Sequence, residues 1–169
     1  MPRRARLALG PAHVELKLTP RRGPVLVEVN AGRFNGVDFR LLADVCCGYN
    51  AYECVLDAYL DEKAWDALPS APPRELRGSG RLVKLVSTVE GRLARDVEPP
   101  ELASLVRFEP KPAAASEWAQ LTVDNNSGAG YAWLLHSDPA VVERDFQELL
   151  RLQPGLLVVE DAEVGGGAS

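Results

Sequence analysis

Residues 13–30, HVELKLTPRRGPVLVEVN, constrain the fold more than any other stretch, because two alternating runs flank a segment suited to reversing the chain. Val14, Leu16 and Leu18 alternate with His13, Glu15, Lys17 and Thr19, and Val25, Val27 and Val29 alternate with Leu26, Glu28 and Asn30. A period of two is that of a strand, and Pro20–Gly23 supplies turn residues. Pairing Pro20 with Gly23 sets His13 opposite Asn30 and Glu15 opposite Glu28. Side chains two apart share a face, so Glu15, Glu28 and Asn30 are expected on one side, with the six aliphatic residues Val14, Leu16, Leu18, Val25, Val27 and Val29 on the other. Two carboxylates facing each other repel unless a positive charge lies between them. Lys17 supplies one such charge, and a divalent cation supplies more, since carboxylate and amide oxygens are the ligands of hard ions such as magnesium. The plainer alternative is a solvated polar face with paired surface charges.

The segment 10–15, GPAHVE, followed by 25–33, VLVEVNAGR, resembles the closing metal-binding segment of the ATP-grasp superfamily, particularly its carboxylate-amine ligases. The resemblance implies that Glu15, Glu28 and Asn30 hold magnesium, or manganese in its place, against the phosphates of ATP. It also implies an arginine that contacts phosphate or the carboxylate substrate. The family's arginine follows the asparagine by two; here Gly32 stands there and Arg33 comes one later. The implied fold class is α+β: the C-terminal portion of an ATP-grasp fold, an antiparallel sheet with packed helices, plus a small α+β C-terminal lobe similar to that of L-amino-acid ligases and carnosine-synthase-like enzymes. The implied reaction is peptide-bond-forming ligation of a small carboxylate and an amine through an acyl phosphate. The family places an ATP-binding lobe before this point, so the chain is expected to be incomplete alone, with that lobe supplied in cis or in trans. The alternative is a degenerate, non-catalytic module acting through a partner chain. A homodimer stays open.

Composition narrows the remaining classes. At 169 residues, 46% hydrophobic and 25% charged, the chain is an ordinary globular sequence long enough for one domain or a domain with a small lobe. A net charge of −5 argues against a nucleic-acid partner, which calls for a basic domain or stripe. No run approaches the roughly 20 apolar residues needed to cross a bilayer, and residues 1–10 lack the apolar core of a secretory signal. A cytoplasmic location is therefore expected. Cys46, Cys47 and Cys54 lack zinc or disulfide spacing and read as apolar thiols.

Along the chain, residues 1–65 are expected to form the ATP-grasp portion with the metal-binding hairpin, 66–80 a linker rich in Pro, Gly and Ser, 81–160 the small α+β lobe and 161–169 a loose tail. Helices are expected from Phe39 to Cys47, stopped by Gly48, and after Asn50, whose Glu53 completes a capping-box pattern. Tyr52, Leu56, Tyr59 and Leu60 form the stripe expected to pack. In the second half, strands are expected over 82–89, 118–123 and 130–135, a short helix from Pro99 to Val106, a helix from Val141 to Leu152 ending at Pro154-Gly155, and a last strand over 156–159. The loop 124–129 reads either as a hairpin connection or as a backbone anion cradle. His136 beside Ser137 and Asp138 matches the composition of a hydrolytic triad, although a helix cap at Asp138 accounts for that residue equally well.

Overall fold

The computed structural model describes residues 10–32, 40–71 and 73–160. The chain divides into two compact units, 1–75 and 76–169.

In the first unit, β1 (Ala12–Thr19) and β2 (Gly23–Ala31) form a two-stranded antiparallel sheet, followed by α1 (Arg40–Cys47), α2 (Ala51–Leu60) and α3 (Glu62–Asp66). Gly48 ends α1 at φ +85°, its N–H reaching back to the carbonyls of Ala43 and Asp44, a left-handed stop that glycine adopts without a Cβ penalty. Asn50 caps α2: its Oδ1 accepts the N–H groups of Tyr52 (2.9 Å) and Glu53 (3.0 Å), while its Nδ2 donates to Asp44 Oδ1 at 2.6 Å. One amide side chain thereby fixes the junction of two helices. Asp61 caps α3 in the same way, through Ala64 N. The stripe Tyr52, Leu56, Tyr59 and Leu60 does not pack as its spacing suggests; Leu60 is 80% exposed. Among the described residues of this unit, only Cys46 and Asn50 are buried.

The second unit has a true core. Its sheet runs β3–β7–β5, with β7 (Gly130–His136) antiparallel to both β3 (Ser79–Lys84) and β5 (Leu105–Pro110). The short strands β4 (Gly91–Arg92) and β6 (Trp118–Ala119) pair beside it. Val83, Ala132 and Leu134 pack with Val142 and Leu149 of α4 (Pro139–Leu156). Residues Val142, Asp145, Leu149 and Gln153 line the buried side of α4, a spacing of three and four that keeps one helical face inward. The two polar members are tied to the chain around them: Asp145 Oδ2 accepts Ser104 N (2.7 Å) and Ser104 Oγ (2.9 Å), and Gln153 Oε1 accepts Val86 N (2.8 Å).

Several sequence expectations change here. The helix expected from Pro99 to Val106 is absent; Leu105 opens β5, and no helix is assigned over 97–104. Proline in a first turn suits a helix, but Ser104 spends its N–H on Asp145 of α4 instead. Helix α4 runs through Pro154 and Gly155 to Leu156. The carbonyl a proline leaves unpaired in the preceding turn belongs to Leu150, and Leu150 is exposed to water. The strands expected at 118–123 and 130–135 are not hairpin partners, since β6 pairs with β4 and β7 with β3 and β5. Val159 does return to strand pairing, as a bridge to Leu93.

Candidate functional site

The candidate site lies on the β1–β2 hairpin. Over its open end the register is Ala12 with Ala31, His13 with Asn30, Val14 with Val29 and Glu15 with Glu28. The two acids are thus direct cross-strand partners, whose Cβ atoms stand about 4.5–5.5 Å apart in such a pair. Both are exposed, and Asn30 is half-buried. Asn30 Nδ2 donates to Glu28 Oε1 at 2.8 Å. That bond uses one of the amide's two N–H groups and leaves Asn30 Oδ1, Glu28 Oε2 and both oxygens of Glu15 able to coordinate.

At the turn the register differs from the expected one. The closing pair is Thr19 with Gly23, so the turn is Pro20–Arg22, and a bulge between Glu15 and Leu16 absorbs the offset. Thr19 Oγ1 accepts Arg22 N and donates to Gly23 O, each at 3.1 Å, and Gly23 sits at φ +66°, a conformation natural to glycine. The bulge also changes the apolar face: Leu16 pairs with Leu26 and Leu18 with Pro24, while Val25 falls opposite Lys17. An inserted residue in a bulge shifts the faces of everything beyond it. The acidic end, on the other side of the bulge, keeps the expected register.

Arg33 lies outside the described residues. Gly32, which occupies the position two after Asn30, has φ +85°, a backbone conformation a side-chain-bearing residue adopts only with strain. The donor set fits a hard divalent ion shared with phosphate: oxygen ligands, two of them carboxylates, on a solvent-facing strand pair. Among the described residues no three of His, Cys, Asp and Glu cluster closely enough to hold a metal by themselves, so an ion here would depend on Asn30 and on oxygens from a ligand or water.

Other sequence-level candidates fall into structural roles. His136 Nδ1 accepts the N–H of Asp138 at 3.0 Å, and Asp138 Oδ1 accepts Ala140 N at 2.8 Å, which together start α4. Ser79 and Gly80, at the end of the expected 66–80 linker, are strand residues of β3. Cys46, Cys47 and Cys54 are free thiols, and burial, with neighbouring negative charge, pushes Cys46 and Cys54 up from their usual range. Sequence reasoning missed the buried Ser104–Asp145 contact, whose partners are 41 residues apart; no local pattern signals it. No described helix is long and apolar enough to cross a membrane.

No protein-family model matches the sequence, nor does any curated protein. Among solved structures the fold matches that of phosphoribosylglycinamide synthetase from Anaerococcus prevotii, an ATP-grasp ligase, with a TM-score of 0.59 and 12% sequence identity. The match covers 88% of this chain and 37% of that one. At this identity it supports the ATP-grasp fold and carries no substrate or activity across.

Proposed function

We propose that the chain supplies the metal-holding part of an ATP-dependent carboxylate-amine ligase. The observation that carries this reading is the placement of Glu15 directly opposite Glu28 with Asn30 bonded to it, in a chain whose fold is similar to that of a synthetase. Glu15, Glu28 and Asn30 would hold magnesium or manganese, which when bound offsets negative charge on the ATP phosphates during phosphoryl transfer. In the proposed reaction a substrate carboxylate oxygen attacks the γ-phosphorus, and ADP leaves. An amine then attacks the acyl carbon, loses a proton and displaces phosphate, leaving an amide. Asn30 fixes the orientation of Glu28 before ligand arrives, and Glu15 closes the site from the neighbouring strand. Arg33 is proposed to contact phosphate or the substrate carboxylate. The rest of an ATP-binding lobe, in cis or in trans, belongs to the proposal as well.

Isothermal titration of the chain with Mn2+ tests the metal site without requiring turnover. Saturable binding that is lost in both Glu15→Gln and Glu28→Gln is expected. Equal binding by wild type and both variants would contradict the assignment.

A second reading, a non-catalytic module of the same fold, is favoured by Gly32: its φ of +85° suits glycine and disfavours the family's arginine there. The two readings part on nucleotide. In the catalytic one, the chain joined to an upstream ATP-grasp lobe gives heat with magnesium-ATP that Glu28→Gln abolishes; in the module there is none to abolish.

A further inference from the structure

We propose that the groove beside the 124–128 loop of the second unit binds a small organic oxyanion, a carboxylate or phosphate with a flat apolar portion, through Lys111. Two adjoining cavities of about 420 and 390 Å3 meet there, sharing Lys111, Asn126 and Gly128. Their walls are held by the fold itself: Lys111 N donates to Ala129 O (2.9 Å) and Ala129 N to Leu85 O (2.8 Å). Asp124 Oδ1 accepts Asn126 N (2.8 Å), Ser127 N (2.9 Å) and Ser127 Oγ (2.9 Å). The loop is therefore braced without a ligand, and several backbone donors that an anion cradle would need are already spent. Recognition falls to side chains.

Four charged side chains line the two cavities, and three are engaged. Lys84 Nζ donates to Asn125 O. Glu109 accepts the Arg107 guanidinium. Glu117 Oε2 accepts Ala113 N (2.8 Å) and Ala114 N (3.1 Å), and these amides hold its carboxyl below the usual range. The ammonium of Lys111 makes no hydrogen bond or ion pair with a described residue. A cation that makes no ion pair with the described acids is a natural partner for an oxyanion. The side-chain amides of Asn126 and Gln120 line the same space and offer further donors. Trp118, 56% exposed beside them, offers a face for a planar group. The residues that line this groove all belong to the second unit, whereas the acids Glu15 and Glu28 belong to the first.

The test is amide NMR on the full chain without metal or nucleotide, titrated separately with acetate, benzoate and inorganic phosphate. Saturable shifts at Lys111, Asn126 and Gly128 are expected, with benzoate binding about three- to tenfold more tightly than acetate. Saturation by phosphate and not acetate would identify a phosphate group as the ligand; saturation by acetate would identify a carboxylate. Lys111→Gln, at an exposed side chain, is expected to leave the rest of the spectrum unchanged and weaken binding by about tenfold or more. Trp118→Ala is expected to remove the benzoate preference alone. Shifts that never saturate with any of the three anions, or an affinity untouched by Lys111→Gln, would overturn the proposal.

Discussion

Two side chains show how single residues set local structure in this protein. Asn50 is 1% exposed and makes three hydrogen bonds that join α1 to α2. Its capping role is legible in the sequence, because an N-cap followed three residues later by Glu is a local signal; its bond to Asp44 is not. Asn50→Ala is expected to cost about 1–2 kcal/mol, measured as a lower urea midpoint for loss of helical circular dichroism. Asp145 is the opposite case, a charged residue on the buried stripe of a helix, which periodicity alone reads as a fault. Burial by itself would raise its carboxyl; the bonds from Ser104 N, Arg144 and Ser104 Oγ outweigh that and hold it below the usual range. A depressed folded pKa stabilises the fold above the unfolded value, about 3.9 for Asp, and that contribution fades as pH falls below it through the folded value. Melting temperature followed from about pH 5 to about pH 2 is expected to fall less steeply in Asp145→Asn than in wild type.

At the level of elements, local pattern located the hairpin, and turn chemistry set its detail. Alternation fixed which residues are strand; the Glu15–Glu28 pair came from closing the hairpin at Pro20 and Gly23, and it stands in the structure because the bulge offsets the true closing pair, Thr19 with Gly23. The extra turn residue and the bulge depend on Thr19 bonding to Arg22 and Gly23, and binary patterning does not encode that. In the second unit, long-range pairing decided more. The central strand β7 recruits β3 from about 50 residues upstream, so sequence neighbours 118–123 and 130–135 look like a hairpin and are not one. Close strand approach creates one sharp constraint. A Cβ on Gly130 would lie 2.0 Å from Glu109 O and 2.8 Å from Pro110 Cα, and its φ is +108°. Gly130→Ala is therefore expected to destabilise the second unit by roughly 2–4 kcal/mol, read from the urea midpoint of tryptophan fluorescence, since Trp133 pairs in the same sheet.

Across the whole molecule the two units differ in how they dispose of apolar surface. The second buries Leu85, Leu93, Leu134 and Leu149 almost completely; the first leaves Val14, Leu16, Leu18, Leu26 and Val29 of its hairpin exposed. An exposed apolar strip of this kind is suited to packing against another surface, which accords with the proposed further lobe. Leu16→Ser with Leu26→Ser is expected to lower fluorescence of the dye ANS while shifting stability by less than about 1 kcal/mol, as surface substitutions do. The α+β class, with the likeness to an ATP-grasp fold that the structural match supports, was legible because the hairpin carries a recognisable pattern. The proposed oxyanion groove was not, because Lys111 comes together with Lys84 on one side and Trp118 on the other only after folding.

The most direct measurement is amide NMR of the chain with substoichiometric Mn2+, whose unpaired electrons broaden nearby signals. Broadening centred on residues 13–15 and 28–30, and abolished in the Glu15→Gln, Glu28→Gln double variant, is the predicted result. Broadening centred elsewhere, or unchanged in the double variant, would contradict a metal site between the two facing acids.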